Sequence, residues 1–350
     1  MLLVLPIGGQ STRFPNTRPK FMLTHPNGNM MLTESIRKLD IEKFSDILII
    51  YLNEHEEKYK FVNPTLKEIQ KEFKKTPMFV GLDHQTQSQP ETIYEGLKAL
   101  SIKDSIFVKD CDNTFDLNFN DKISENNFVA VVDLEKIENI DAKSKSYVNI
   151  GLSGTVTNIA EKKIISNLFC CGGYCFKNSH DFIRIFEKIK NNKNLYVSHI
   201  IYQMILENEV FFTQEATNFH DWGTYEDWSY YKGQYSNLMI DIDGVLVLNS
   251  AKSFSPFWGT TEGIKENIEC INNLYGKGMT RIILTTSRDE DYRTITEEQL
   301  KKENIKYHQL VMGLYSAKRI VINDFCDTNK YPSALAINIE RNSNSLKKYL

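Results

Sequence analysis

The chain has 350 residues, 42 of them basic and 45 acidic, for a net charge of −3 with the two signs interspersed. That balance excludes the basic stripe of a nucleic-acid or membrane-surface binder. No apolar run approaches the roughly 20 residues that a membrane span requires. An apolar share of 41% and a charged share of 25% describe a globular protein long enough for two or three cores. The sequence opens on a core strand with no signal-peptide n-region, so a cytoplasmic location is expected. Cys111, Cys170, Cys171, Cys175, Cys270 and Cys326 follow neither metal spacing nor a disulfide framework, which fits buried reduced thiols.

The first apolar strand, Leu2–Ile7, runs into Gly8-Gly9-Gln10-Ser11-Thr12-Arg13-Phe14 and then Pro19-Lys20. Paired glycines let the backbone approach a bulky anion, and exposed N–H groups in such a loop form an anion-binding concavity. Arg13 and Lys20 add two cations, so a triphosphate suits the stretch better than a single phosphate. The spacing differs from the P-loop and from Gly-x-Gly-x-x-Gly. A helix near Met30–Leu39, a strand at Asp46–Leu52, helices near Leu66–Phe73 and Thr92–Leu100, and a strand at Met78–Leu82 follow. Ser105–Lys109 then leads into Asp110-Cys111-Asp112-Asn113. This alternation predicts a largely parallel, doubly wound sheet. Short strands come next (Phe128–Asp133, Ser146–Ile150, Thr155–Ile159, Leu168–Phe176), then helices at Asp181–Lys190 and Val197–Glu207 and a strand at Glu209–Thr213. Near residue 235 the pattern resets, giving expected domains 1–235 and 236–350. The second part is again alternating β and α.

The loop and its Pro-Lys resemble the signature of the nucleotidyltransferases that make nucleotide sugars, with Ser11 in the place of a loop glycine. The resemblance covers about residues 1–230. It implies transfer of a nucleotidyl group from an NTP to a phosphorylated sugar, polyol or sugar acid, with release of pyrophosphate. Arg13 and Lys20 are then the catalytic cations. Pro6, Gly8, Gly9, Ser11, Thr12 and Arg13 would bind nucleotide, joined by Gln87, Gln89 and Thr92 from the segment resembling the family's base-contacting one. Asp112 matches the family's metal-binding Asp, with Asp110 able to share or take that role. Asp221, just before Gly223-Thr224, matches the second ligand, and two carboxylates plus phosphate oxygens suit Mg²⁺. Glu161, Lys162 and Gly173 resemble the sugar-side segments. Tyr196-Val197-Ser198 could face substrate, with His199 read as a satisfied helix histidine.

In the second part, Leu238-Met239-Ile240-Asp241-Ile242-Asp243-Gly244 brings two carboxylates to one strand end, on a shared face if the strand stays extended. It resembles the haloacid dehalogenase phosphatases. By that resemblance Asp241 is the nucleophile and Asp243 the acid and base. Thr286 (or Thr285) and Lys318 (or Arg319) would bind the phosphate. Asp324, ending an expected strand Arg319–Asn323, would complete a second Mg²⁺ site with Asp241 and Asp243, Asn323 taking the place of a further acid. The gaps between these motifs leave no room for a cap domain. Phe254-Ser255-Pro256-Phe257-Trp258-Gly259 is the expected selectivity loop. The fold class is thus α/β, two doubly wound domains, the second uncapped. A bifunctional enzyme acting on NTP and phosphorylated small molecules, for capsule or other surface-glycan precursors, is the expectation. A homo-oligomer is compatible with it. The alternative is one active domain beside a binding or regulatory module.

Overall fold

A computed structural model describes residues 1–350 except 10, 12, 15–16, 120–124, 138–139 and 325–333. Thr12 and Cys326 therefore lie outside the described residues. The chain divides into two compact units, Met1–Lys232 and Gly233–Leu350.

The first unit begins with β1 (Leu2–Pro6), α1 (Met31–Ile36), β2 (Ile47–Leu52), α2 (Asn53–Tyr59), α3 (Val62–Phe73), β3 (Met78–Leu82), α4 (Gln89–Ala99) and β4 (Ile106–Lys109). It continues with β5 (Asn113–Leu117), β6 (Asn127–Asp133), β7 (Ser146–Ile150), β8 (Val156–Glu161) and β9 (Leu168–Phe176). The last elements are α5 (Ser179–Ile189), α6 (Val197–Leu206), β10 (Phe211–Asp221) and α7 (Tyr225–Gly233). Among the described residues ten strands form one mixed sheet, ordered β3-β2-β1-β4-β9-β6-β10-β5, with β7 pairing off this path to β9 and β8 pairing to β7.

Local chemistry sets the boundaries. Ser88 caps α4 by accepting the Glu91 N–H, and Pro90 sits in its first turn, where no N–H is needed. Asn178 caps α5 in the same way. The apolar positions of α5, Phe182, Ile185, Phe186 and Ile189, recur at helical spacing and all are buried.

Strand alternation divides the core between the two sheet faces. Val4, Ile50 and Val108 pack with Ile93 of α4, Ile185 of α5 and Ile200 of α6. Leu5, Ile49 and Phe107 pack with Leu32 of α1 and Ile69 of α3. Helices on both faces and a reversal of strand order between β1 and β4 make this the doubly wound arrangement expected. That reversal opens a crevice at the carboxyl ends of β1 and β4. Strand β10 runs well past the expected Glu209–Thr213. It pairs parallel with β6, passes an irregularity between Thr217 and His220, and pairs antiparallel with β5. Asp221 thereby comes opposite Asn113.

The second unit has β11 (Ser236–Asp241), α8 (Lys265–Lys277), β12 (Thr280–Thr285), α9 (Arg293–Lys302) and β13 (Gln309–Val311). The strands are parallel in the order β11-β12-β13. Both helices share a core with Ile240, Ile282 and Leu284. Right-handed crossovers that wind in one direction leave both helices on one face. The doubly wound expectation is thus corrected here, among the described residues. So is the strand Arg319–Asn323, which is irregular and exposed, Ile322 at 91%. Its apolar residues follow a strand pattern, but among the described residues no neighbouring strand supplies the ladder that would fix them.

Gly173 in β9 was an expected substrate contact, yet it packs inside the sheet. A Cβ there would stand 2.8 Å from Phe107 Cζ, 2.9 Å from Phe115 Cζ and 3.0 Å from Ala130 Cβ. Overpacking three rigid neighbours should cost the first unit about 1–3 kcal/mol. Gly173→Ala should lower the urea midpoint of that unit by a corresponding amount, and an unchanged midpoint would refute this packing.

Candidate active site

The crevice between β1 and β4 widens into a cleft of about 800 Å³ lined by Gly9, Ser11, Arg13, Lys20, Asp112 and Asp221 among others. Of the other expected residues, Pro6, Gln87, Gln89, Thr92, Glu161 and Lys162 line it, and Gly172 lines it in place of Gly173. Gly8 sits just behind the wall. Its carbonyl accepts from Gln85 Nε2 at 3.1 Å, and a Cβ on it would come within 3.2 Å of Thr92.

The loop after β1 explains its own departure from the glycine pattern. Ser11 has φ of +53°, the left-handed region where glycine is usual. Its hydroxyl accepts the Lys20 N–H at 2.9 Å and its carbonyl accepts the Phe14 N–H at 2.8 Å. The serine keeps the turn and ties the two ends of the loop together, which a glycine lacks the side chain to do.

Two carboxylates meet at the floor. Asp112 lies in the turn before β5, Asp221 ends β10, and the Trp222 N–H donates to the Asp112 carbonyl at 2.8 Å. Lys20 Nζ is 2.5 Å from Asp112 Oδ2 and Arg13 Nη2 is 3.6 Å away. Lys145 Nζ is ion-paired with Asp221 Oδ2. Burial alone would raise Asp112, but Lys20, then Arg13 and Lys145, hold its carboxyl below the usual carboxylate range. Burial works most strongly against the Lys20 ammonium, but the charge and hydrogen bond of Asp112, together with Cys111, outweigh it, so Lys20 is raised. At Asp221 burial prevails over Lys145 and lifts the carboxyl.

Asp110 differs. Its Oδ1 accepts from Gln89 Nε2 at 2.5 Å, while burial and the neighbouring Asp112 charge push it up to about 6. Lys109 is fully buried behind it and donates to the carbonyls of Asp110 at 2.6 Å and Asn113 at 3.0 Å. A third bond reaches Asn113 Oδ1 at 2.5 Å, so all three ammonium protons are satisfied. Burial lowers this ammonium to about 8.

On the other side of the cleft lining, Glu161 accepts from the hydroxyls of Ser146 and Ser198, the latter at 2.6 Å. Lys162 Nζ lies 2.5 Å from the Tyr196 hydroxyl. His199 Nδ1 accepts the Tyr196 N–H at 3.1 Å, the local partner expected of it. Asp112, just before β5, and Asp221, at the end of its partner β10, offer hard oxygen donors. They fit a Mg²⁺ that takes further oxygens from phosphate, and no third His, Cys, Asp or Glu joins them among the described residues.

The second unit gathers part of its expected set. Asp241 ends β11, and its Oδ1 accepts from the Ile242 N–H at 3.0 Å and from Arg319 Nη2 at 3.2 Å. Arg319, the alternative to Lys318, is thus the cation at this carboxylate, while Lys318 is exposed. Thr286 is 1% exposed and accepts the Arg288 N–H at 3.1 Å. Thr285, its rival, is equally buried and donates to the Ile240 carbonyl at 3.2 Å.

Sequence reasoning missed the partner of Asp243. Arg288, 0% exposed, donates from Nε to Asp243 Oδ2 and from Nη2 to Oδ1, both at 2.8 Å. Ser250 adds a bond of 2.7 Å to Oδ1, and Thr296 and Gln299 hold Nη1 of the same guanidinium. Asp324 ends the exposed irregular segment. The expected three-carboxylate metal set of Asp241, Asp243 and Asp324 is corrected accordingly, since no such group of three forms among the described residues. In the expected selectivity loop, Trp258 packs edge-on against Tyr292 at 4.9 Å, while Phe254 and Phe257 are exposed. The five described cysteines are free thiols, and no described helix is long and apolar enough to cross a membrane.

No family model matches the chain, and no curated protein does. Solved structures do. A nucleoside-diphosphate-sugar pyrophosphorylase from Vibrio cholerae is 20% identical with a TM-score of 0.57, the match covering 66% of this chain and 99% of that one. A UDP-glucose pyrophosphorylase complexed with UDP-glucose is 17% identical at a TM-score of 0.51, covering 66% and 98%. The inositol-1-phosphate CTP transferase of T. maritima is 11% identical at a TM-score of 0.51, covering 66% and 93%. At these identities the likeness establishes a fold, the large mixed sheet of those transferases. The share matched equals that of the first unit, 232 of 350 residues.

The raised Asp110 has a consequence for folding. Between about pH 4 and 6 the folded chain keeps a proton there that the unfolded chain has lost, so this group's contribution to stability falls as pH rises through that window. Asp110→Asn removes the penalty. From pH 4 to pH 7 wild-type protein should lose on the order of 1–3 kcal/mol more than the variant in urea unfolding of the first unit. Parallel pH profiles would contradict the assignment.

Proposed function

We propose that the first unit transfers a nucleotidyl group from an NTP to a phosphorylated sugar, polyol or sugar acid, releasing pyrophosphate. The observation that carries this is the meeting of Arg13, Lys20, Asp112 and Asp221 in one cleft at the strand-order reversal. The neighbouring folds named above support it. The loop Gly8–Arg13 is suited to cradle the triphosphate, and Lys20 and Arg13 to offset the charge that grows on the leaving pyrophosphate. Gln87, Gln89 and Thr92 are suited to the base, and Glu161 and Lys162 to the acceptor. Asp112 and Asp221 would hold Mg²⁺, which supplies charge neutralisation at the reacting phosphate when bound. Positioning and electrostatics then do the chemistry, with no covalent enzyme intermediate.

For the second unit we propose phosphomonoester hydrolysis through an aspartyl-phosphate on Asp241. Thr286 and Arg319 would contact the phosphoryl group, and Asp243 would move the proton. In that scheme the attacking Asp241 oxygen forms the bond to phosphorus as the ester oxygen leaves with a proton, and water then cleaves the acyl phosphate. A second reading is favoured by one observation. Both Asp243 oxygens already accept hydrogen bonds from a buried guanidinium, which suits a phosphate-binding module without turnover. A role in making capsule or other surface-glycan precursors, in the cytoplasm, completes the proposal.

The transfer reading is tested with Asp241→Asn protein, Mg²⁺, each of the four common NTPs and a panel of sugar, polyol and sugar-acid phosphates. Pyrophosphate should appear for one NTP–acceptor pair and fall by roughly a hundredfold or more in the added Asp112→Ala variant. Equal rates in both proteins would refute the site.

Hydrolysis is tested separately on wild-type protein with the same phosphates. Metal-dependent phosphate release that disappears in Asp241→Asn supports the phosphatase. No release from any of them, with phosphate still bound, supports the module.

A further inference from the structure

Lys145 was assigned no part by the sequence, yet it stands directly before β7 and lines the cleft. Its side chain is 16% exposed and that of its partner Asp221 12%. The pairing of Lys20 with Asp112 is similar, at 20% and 16%. Each carboxylate suited to a divalent metal thus carries an ammonium on one of its oxygens. An ammonium and a metal ion compete for such oxygens.

The competition has an asymmetry that follows from burial. A metal entering alone would displace two ammoniums from largely buried carboxylates and leave them without partners, which is costly. Two carboxylates also fill only part of a six-oxygen shell. A metal entering with a triphosphate meets neither obstacle. Phosphate oxygens complete the shell, and each released ammonium exchanges a carboxylate oxygen for a phosphate oxygen. Lys145 shares the cleft wall with Ser146, Glu161 and Lys162, the acceptor side of the proposed reaction.

We propose that Lys145 is a phosphate-binding residue held in reserve on Asp221, and that Lys145 and Lys20 together make divalent-metal binding conditional on phosphate. This rests on the nucleotidyl-transfer reading of the cleft. Its consequence is order: the cleft takes metal with nucleotide rather than before it.

Mn²⁺ serves as the probe, its free concentration read by electron paramagnetic resonance on full-length protein with no nucleotide and with each of the four common NTPs. Beyond the Mn²⁺ that the same NTP chelates without protein, wild-type protein should bind Mn²⁺ roughly tenfold more tightly with one NTP than without. Lys145→Met should tighten nucleotide-free Mn²⁺ binding by roughly tenfold, because an opposing cation has been removed. Lys145→Arg should stay near wild type, and Lys20→Met should repeat the Lys145→Met result at Asp112 if the first variant folds poorly. If an NTP tightens Mn²⁺ binding in wild type but the methionine variants bind nucleotide-free Mn²⁺ as wild type does, the proposal falls and the transfer reading stands. If no NTP affects Mn²⁺ binding in wild type, both fall.

Discussion

Carboxylates placed at the closed end of a buried sheet must be neutralised, and the first unit is arranged to satisfy that demand. Asp112 and Asp221 come from the two sides of the β5–β10 pairing, where water has limited access. Their counter-charges come from other places in the chain: Lys20 and Arg13 from the loop after β1, Lys145 from the approach to β7. An isolated buried charge would shift its protonation or unfold its surroundings. The positions of two loops are therefore coupled through two carboxylates. Asp110 shows the alternative, since among the described residues it has a Gln89 amide but no direct ammonium, and its proton is retained to a higher pH.

What could be read from the sequence was what is local. The strand Leu2–Pro6, its glycine loop, the cap at Ser88 and the turn after Ile106–Lys109 each announce themselves within a dozen residues. Residues joined across the fold did not. Lys145 lies in a polar run, Asp141-Ala142-Lys143-Ser144-Lys145-Ser146, in which no lysine stands out; only the extension of β10 to Asp221 selects one. That extension was itself hidden, because Thr217, Asn218 and His220 lack strand alternation; Thr217 and His220 are held by pairing to β5, with Asn218 in the irregularity between them. Arg288 was visible only as the end of a motif, its bonds to Asp243 being a matter of tertiary distance. The converse error arose at Ile320-Val321-Ile322, where a strand-like apolar pattern is not matched by a partner strand among the described residues.

The second unit uses the same physical device in a tighter form. Arg288 is locked by Asp243, Thr296 and Gln299, and Gln299 in turn donates to Thr261. A guanidinium with so many fixed partners is rigid and pre-oriented. In the first unit Lys20 and Lys145 are each paired with one buried carboxylate, a looser hold. A guanidinium with many partners in one unit and singly paired ammoniums in the other are two different ways of holding charge.

Strand β10 carries one more implication, for how the protein is made. Asp112 emerges early and Asp221 late, and only the β5–β10 ladder brings them together. Contacts so distant in sequence form after the intervening chain has been laid down. On the ribosome the loop after β1 and the first carboxylate are complete long before the second arrives. A nascent or truncated chain therefore lacks half of its carboxylate pair, and the cleft gains its full charge pattern only once the first unit has been synthesised nearly to its end.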